Sequence, residues 1–324
     1  MFFILFIQCT YIVKLYLFDI IKKQDVSTNW IGQIIKEPSS SKLRCLLFIL
    51  WLKDNIISGD SCCFSFSLGG IKKLIENRIP DIYVYSIRLG NNEIEDVENS
   101  YFGNINEQIQ EVCQQLLKNE RLKNGYNAIG FSQGAQFLRA VIQRCPNPPV
   151  KNFISLGGQH QGVFGLPNCG TLKPKICDYI TRMIKYGAYL QAVQGKFIQA
   201  TYWHDPYQEE EYKKKSMFMA DINNERYINE TYKENLQRLR TMVLVKFTND
   251  TIVKPIETEM FGFYKPGQGS LIQTLEQSDL YREDRLGLKM LHDSGRIHFL
   301  NVHGNHLQFT EDWFVDNIIK KYLL

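Results

Sequence analysis

Apolar residues fall into short runs separated by amphipathic stretches, and the two patterns alternate along most of the chain. Residues 43–51 are apolar except for Arg44, a run too short to cross a bilayer, so it reads as a buried strand. Residues 68–77 have helical composition. Pro80 then precedes 82–89, rich in Ile, Tyr and Val, which gives helix, turn and strand. Ile105, Ile109, Val112, Cys113, Leu116 and Leu117 recur at steps of three and four, one apolar face of a helix that Gly125 closes off. Residues 126–131 form a short apolar strand, Phe137, Leu138, Val141 and Ile142 mark the next helical stripe, and 150–156 form the next strand. Strand–helix alternation of this kind predicts a mostly parallel central sheet covered by helices on both faces.

The alternation stops between Gly157 and Leu239. Residues 176–194 and 229–239 read as helical there and no strand is evident, so about 157–240 is expected to be a helical cap. The pattern resumes with a strand at 242–247, and 297–302 is the last strand before an amphipathic helix near 313–322. The block Glu209-Glu210-Glu211-Tyr212-Lys213-Lys214-Lys215 sets each Glu four residues before a Lys, which predicts ion pairs along a solvated helix face.

At 324 residues, 44% hydrophobic and 22% charged, the composition is that of a globular protein with a sizeable core. A formal charge of +4 with no dense basic patch argues against a nucleic-acid partner. The eight cysteines contain no CxxC and no zinc-type Cys/His spacing, so no metal site is expected, and disulfides or buried thiols remain. The sequons at Asn229 and Asn249 fit a secretory route. The N-terminus opens on Met1-Phe2-Phe3-Ile4-Leu5-Phe6-Ile7, but Gln8, Thr10, Lys14 and Asp19 interrupt the apolar stretch, so it reads as a signal-like segment and not a membrane span. The expected organisation is a signal-like segment over 1–41 and a single α/β domain over 42–324.

Gly130-Phe131-Ser132-Gln133-Gly134 fits G-x-S-x-G and sits between a strand and a helix, as a nucleophile elbow requires. Ser132 is the candidate nucleophile, and the Gln133 backbone N–H at the helix start is a candidate oxyanion donor. In the hydrolase order Ser, Asp, His, the acid should follow a strand, which favours Asp250 over Asp279 and Asp284. The base should lie just past the last strand, which favours His306, with His303 as its local rival. His160 also follows a strand and suits either the site entrance or a structural loop. Met183, Tyr186, Tyr189, Phe197, Tyr202 and Trp203 crowd the expected cap, as core or as the walls of an acyl groove.

Longer segments carry a family resemblance: GDSCC from Gly59, EDVENSYF from Glu95, GYNAIGFSQGAQFLRAV from Gly125, SLGGQHQGVFGLPNC from Ser155, YWHDP from Tyr202, FMADINNER from Phe218, VKFTNDTIVKP from Val245 and GNHLQFTEDWF from Gly304. In these the chain resembles the palmitoyl-protein thioesterases, lysosomal α/β-hydrolases that remove long-chain acyl groups from cysteine thiols. The resemblance implies an α/β-hydrolase fold, Ser132 as nucleophile, Asp250 as acid, His306 as base and S-palmitoylated proteins or peptides as substrates, with no cofactor. It also implies disulfides Cys62–Cys63, Cys113–Cys145 and Cys169–Cys177, glycosylation at Asn249 and lysosomal delivery.

The chain departs from the family at one loop. The family has His-Gly-Met between the residues matching Trp51 and Gly59, where this chain has the seven residues 52–58. In the family that loop supplies the second oxyanion amide, so the change predicts slow turnover on an intact fold. The alternatives are an oxyester lipase or esterase with the same three residues, or, because of the altered loop, a catalytically impaired acyl-binding homologue.

Overall fold

The computed structural model describes residues 45–49, 68–165 and 187–324, all within the unit Lys42–Leu324. Six strands form one sheet in the order β2-β1-β3-β4-β5-β8, every neighbouring pair parallel. They are β1 (Cys45–Ile49), β2 (Tyr83–Ser86), β3 (Tyr126–Phe131), β4 (Val150–Leu156), β5 (Thr241–Phe247) and β8 (Ile297–Val302). Each agrees with a sequence-predicted strand to within a few residues. The periodicity did not reveal a ribbon of two-residue strands, β6 (Phe263–Tyr264) and β7 (Ile272–Gln273), which are too short to show one.

Alternate residues of β5 enter two different cores, as a pleated strand buried on both sides requires. Met242 and Leu244 join Ala128 and Phe153 on one face. There they meet Ile109, Val112 and Leu116 of α3 (Ile105–Lys118) and Leu138 and Val141 of α4 (Gln133–Arg144). Val243, Val245 and Phe247 lie on the other face with Ile129, Phe131, Ile154 and Leu156. That face is covered by Leu68 and Ile75 of α1 (Leu68–Arg78), and by Phe314 and Ile318 from the C-terminal helix, which starts at Glu311–Phe314 and continues in π-helical turns over Val315–Leu323. A further helix, α2 (Glu93–Tyr101), precedes α3.

Between β4 and β5 the described residues form five short helices: α5 (Gln191–Gln194), α6 (Ile198–Thr201), α7 (Glu209–Lys215), α8 (Met219–Ile222) and α9 (Glu230–Gln237). The charged helix α7 presents the solvated face expected of it, with Glu210, Lys214 and Lys215 exposed, and it also has a buried side. Glu209–Lys213 and Glu211–Lys215 do pair, but Tyr212 is fully buried and Glu209 also accepts a bond from His204, because the helix packs its middle residue inward. Among the described residues no helix is long and apolar enough to cross a membrane.

Cys113 on α3 and Cys145 at the end of α4 are joined by a disulfide, with Cα atoms 5.9 Å apart. The other expected disulfides, the N-terminal segment, the 52–58 loop, and Met183 and Tyr186 lie outside the described residues.

Candidate active site

The parallel sheet carries the C-terminal ends of β3, β5 and β8 to one edge, and Ser132, Asp250 and His306 follow those ends. Ser132 turns the chain from β3 into α4 with φ 50° and ψ −127°, a conformation rarely adopted by residues other than glycine. The turn is tight enough that a Cβ on Gly130 would come within 2.8 Å of Ala135 N, which explains the glycine two residues before the serine. Gln133 is the first residue of α4, so its N–H has no acceptor within the helix and lies at the helix's positive end, next to Ser132.

His306 Nε2 lies 2.8 Å from Ser132 Oγ, and Nδ1 contacts Asp250 Oδ2. A carboxylate only accepts, so Nδ1 carries the proton and Nε2 is left free to accept from the serine hydroxyl. Asp250 Oδ1 accepts the N–H groups of Ile252 at 2.7 Å and Val253 at 2.9 Å, which fixes the plane of the carboxyl. Burial opposes charge on Asp250. The bond to His306 and its charge, together with bonds from Glu259 and Val253 N–H, outweigh burial and hold this carboxyl below the usual range. All three side chains are buried.

The structure separates the rival residues from this cluster. His303 is exposed and bonds Thr248 Oγ1. Asp279 pairs with Arg282 on the surface, and Asp284 pairs with Lys233. His160 is fully buried, with Nε2 2.8 Å from Ser155 Oγ and its ring stacked 4.5 Å from Phe261. Burial first, then the Arg139 charge, push its imidazole well below the usual range, so His160 is a neutral structural residue and does not line an entrance.

Three contacts at the site were not apparent in the sequence. Gln159 Nε2 donates to Ser132 Oγ at 3.1 Å from the loop after β4. A polar residue just past a strand at this sheet edge was the only available signal, and it pointed equally to His160. Asn305 Oδ1 accepts from His306 N–H and from Thr251 N–H and Oγ1, so one amide ties the base's loop to the acid's loop. Glu259 meets Asp250 from beneath, although its sequence neighbourhood looks like an exposed acidic turn.

Gln133 Nε2 donates to Ser100 O, and the adjacent Tyr101 and Phe102 are partly exposed, with the Phe102 ring 5.6 Å from that of Phe197. Tyr202 and Trp203 are buried in packing.

Sequence comparisons relate the chain to known proteins. The family model for palmitoyl protein thioesterase matches residues 57–306. The chain is 54% identical over 267 residues to palmitoyl-protein thioesterase 1 of Caenorhabditis elegans, spanning 82% of this chain and 89% of that protein. It is 39% identical over 241 residues to palmitoyl-protein thioesterase 3 of Dictyostelium discoideum, spanning 74% and 80%. It is 28% identical over 227 residues to lysosomal thioesterase PPT2-B of Xenopus laevis, spanning 67% and 74%. The fold is that of an α/β-hydrolase, and the chain belongs to the palmitoyl protein thioesterase family.

Proposed function

We propose that this hydrolase cleaves the thioester joining a long-chain acyl group to a cysteine of an acylated protein or peptide, through an acyl intermediate on Ser132. The observation that carries the reading is the hydrogen-bonded series Ser132, His306, Asp250 in a chain of this family. Ser132 Oγ attacks the acyl carbonyl as its proton passes to His306 Nε2, while Asp250 orients the ring and balances the imidazolium. The Gln133 N–H and the start of α4 stabilise the oxyanion. The C–S bond then breaks and the departing cysteine sulfur takes the proton from His306 Nε2, which leaves the imidazole neutral. A cysteine thiol has a pKa of about 8.5, so sulfur leaves more readily than an amine and needs less help from the His306 proton. Water then gives a proton to His306 Nε2 and attacks the acyl-serine. The bond to Oγ breaks, Oγ recovers the proton and the fatty acid leaves. The chemistry requires neither a metal nor an organic cofactor.

The apolar rings of Tyr101, Phe102 and Phe197 support an acyl-chain route next to the nucleophile. At roughly 0.8 kcal/mol per buried methylene, each added carbon raises kcat/KM about fourfold until the route is filled. The sequons and the Cys113–Cys145 disulfide support a secretory, lysosomal setting.

Rapid-quench mass spectrometry with a palmitoyl thioester should trap the acyl group on Ser132, and Ser132→Ala should abolish both adduct and turnover while leaving the fold intact. Faster turnover of the matched palmitoyl oxyester would make the protein an esterase. Acyl-chain binding without any adduct would make it a binding protein.

A further inference from the structure

We propose that Glu259 is a positioning residue for the Asp250–His306 pair, donating its carboxyl proton to the Asp250 carboxylate. This rests on the reading of those two residues as acid and base. Glu259 lies in the turn Ile256–Met260, which packs against β5, and it is fully buried. Its Oε2 accepts the Phe247 N–H at 2.8 Å, and no donor reaches Oε1. Its carboxyl also meets Asp250: one oxygen from each carboxyl and a ring nitrogen of His306 lie within 4.8 Å of one another. His306 Nδ1 and Asp250 Oδ2 are already in hydrogen-bonding contact, which leaves no room for a cation between them.

Two buried carboxyls with oxygens within 4.8 Å of each other strongly disfavour double ionisation, so one keeps a proton. Asp250 has Ile252 N–H, Val253 N–H and His306 Nδ1–H pointing at it, whereas Glu259 has Phe247 N–H alone. The charge therefore sits on Asp250 and the proton on Glu259. The charged groups facing Glu259 agree with this. Burial first, then the bond and charge of Asp250, hold it well above the ordinary carboxyl range, and the Phe247 N–H and the Lys246 ammonium on β5 oppose this only in part. The shared proton lowers the basicity of Asp250, so that Asp250 orients the imidazole and neutralises its charge without removing its proton, even in an acidic compartment.

Two variants separate a proton donor from an anion or a mere filler. Glu259→Gln keeps an acceptor for Phe247 N–H, a donor for Asp250 and a neutral charge. Glu259→Leu keeps bulk but supplies no donor, so Asp250 becomes more basic and holds the imidazolium more strongly. The acid limb of kcat/KM should coincide in wild type and Glu259→Gln and move to higher pH by about half a unit or more in Glu259→Leu. Independently of turnover, infrared spectra at neutral pH should contain a protonated-carboxyl C=O band in wild type that Glu259→Gln lacks.

Absence of that band would overturn the proposal. So would an acid limb that moves to lower pH in Glu259→Gln, the signature of a lost anion, or a Glu259→Leu limb that stays in place while only stability falls. If Glu259→Leu does not fold, the band and the Glu259→Gln profile decide. If the wild type turns over no thioester, the functional reading fails while the band still decides the protonation of Glu259.

Discussion

Asp250→Asn tests the geometry of the site more sharply than removal of the nucleophile, because the substitution preserves size and changes only which atoms donate. An asparagine here has two orientations. With its oxygen in the place of Oδ1 it keeps the N–H groups of Ile252 and Val253, at 2.7 and 2.9 Å, and turns its NH₂ toward His306 Nδ1. The opposite orientation points NH₂ at two backbone donors and loses both bonds, a cost of at least about 2 kcal/mol at roughly 1 kcal/mol each. The first orientation therefore dominates by at least about thirtyfold. In it Nδ1 must accept, so the ring proton moves to Nε2 and faces Ser132 Oγ, which is left without a base. Loss of the correct tautomer costs about 10⁴-fold in kcat in serine hydrolases, or about 5.5 kcal/mol. Steady-state hydrolysis of a palmitoyl thioester, measured beside thermal unfolding, should show kcat reduced by roughly that factor with the melting temperature nearly unchanged. A loss of less than about tenfold in a folded variant would mean that His306 does not depend on Asp250 for its tautomer, and the assignment of roles would fail.

Two further outcomes follow from a contact at the site and from the disulfide. A Cβ on Gly157, at φ +66°, would approach His306 Cε1 to 3.1 Å, so Gly157→Ala should cost about 1 kcal/mol in backbone strain and, by displacing the imidazole, reduce kcat about tenfold or more; parent-like kcat would show that the ring has slack. The Cys113–Cys145 link closes a loop with a sequence separation of 32, for which chain entropy predicts about 4 kcal/mol. Replacing both cysteines with serine should therefore lower the urea unfolding free energy by roughly that amount, and a change under about 1 kcal/mol would remove the disulfide as a source of stability.

The sheet was legible because its central strands β3, β4 and β5 are largely buried and carry mostly apolar side chains, a pattern that does not depend on distant partners. The elbow at Ser132 was legible for a related reason: strand, tight turn and helix are contiguous, so the geometry is encoded within a few residues. Asp250 and His306 could be named from chain order, from their place after strands and from the family resemblance, whereas residue type and spacing alone do not separate His306 from His303. The structure separates them through contacts between distant segments. The Asn305 amide joins 249–251 to 305–306, and exposed His303 is left outside.

Glu259 and Gln159 were illegible for the converse reason. Ile256-Glu257-Thr258-Glu259-Met260 has two glutamates in a five-residue stretch as an ordinary surface turn would, and burial of the second glutamate follows only because the turn packs against β5, where Phe247 offers an N–H. The same argument covers Glu209. Its spacing to Lys213 was visible, but its bond to His204 depends on that ring being sandwiched between Tyr212 and Phe263, a residue more than fifty positions away in the chain. Helical and strand periods report which face a residue occupies relative to its own element. They carry no information about a buried acid whose counterpart arrives from another loop, and such acids are where the protonation states of this site are decided.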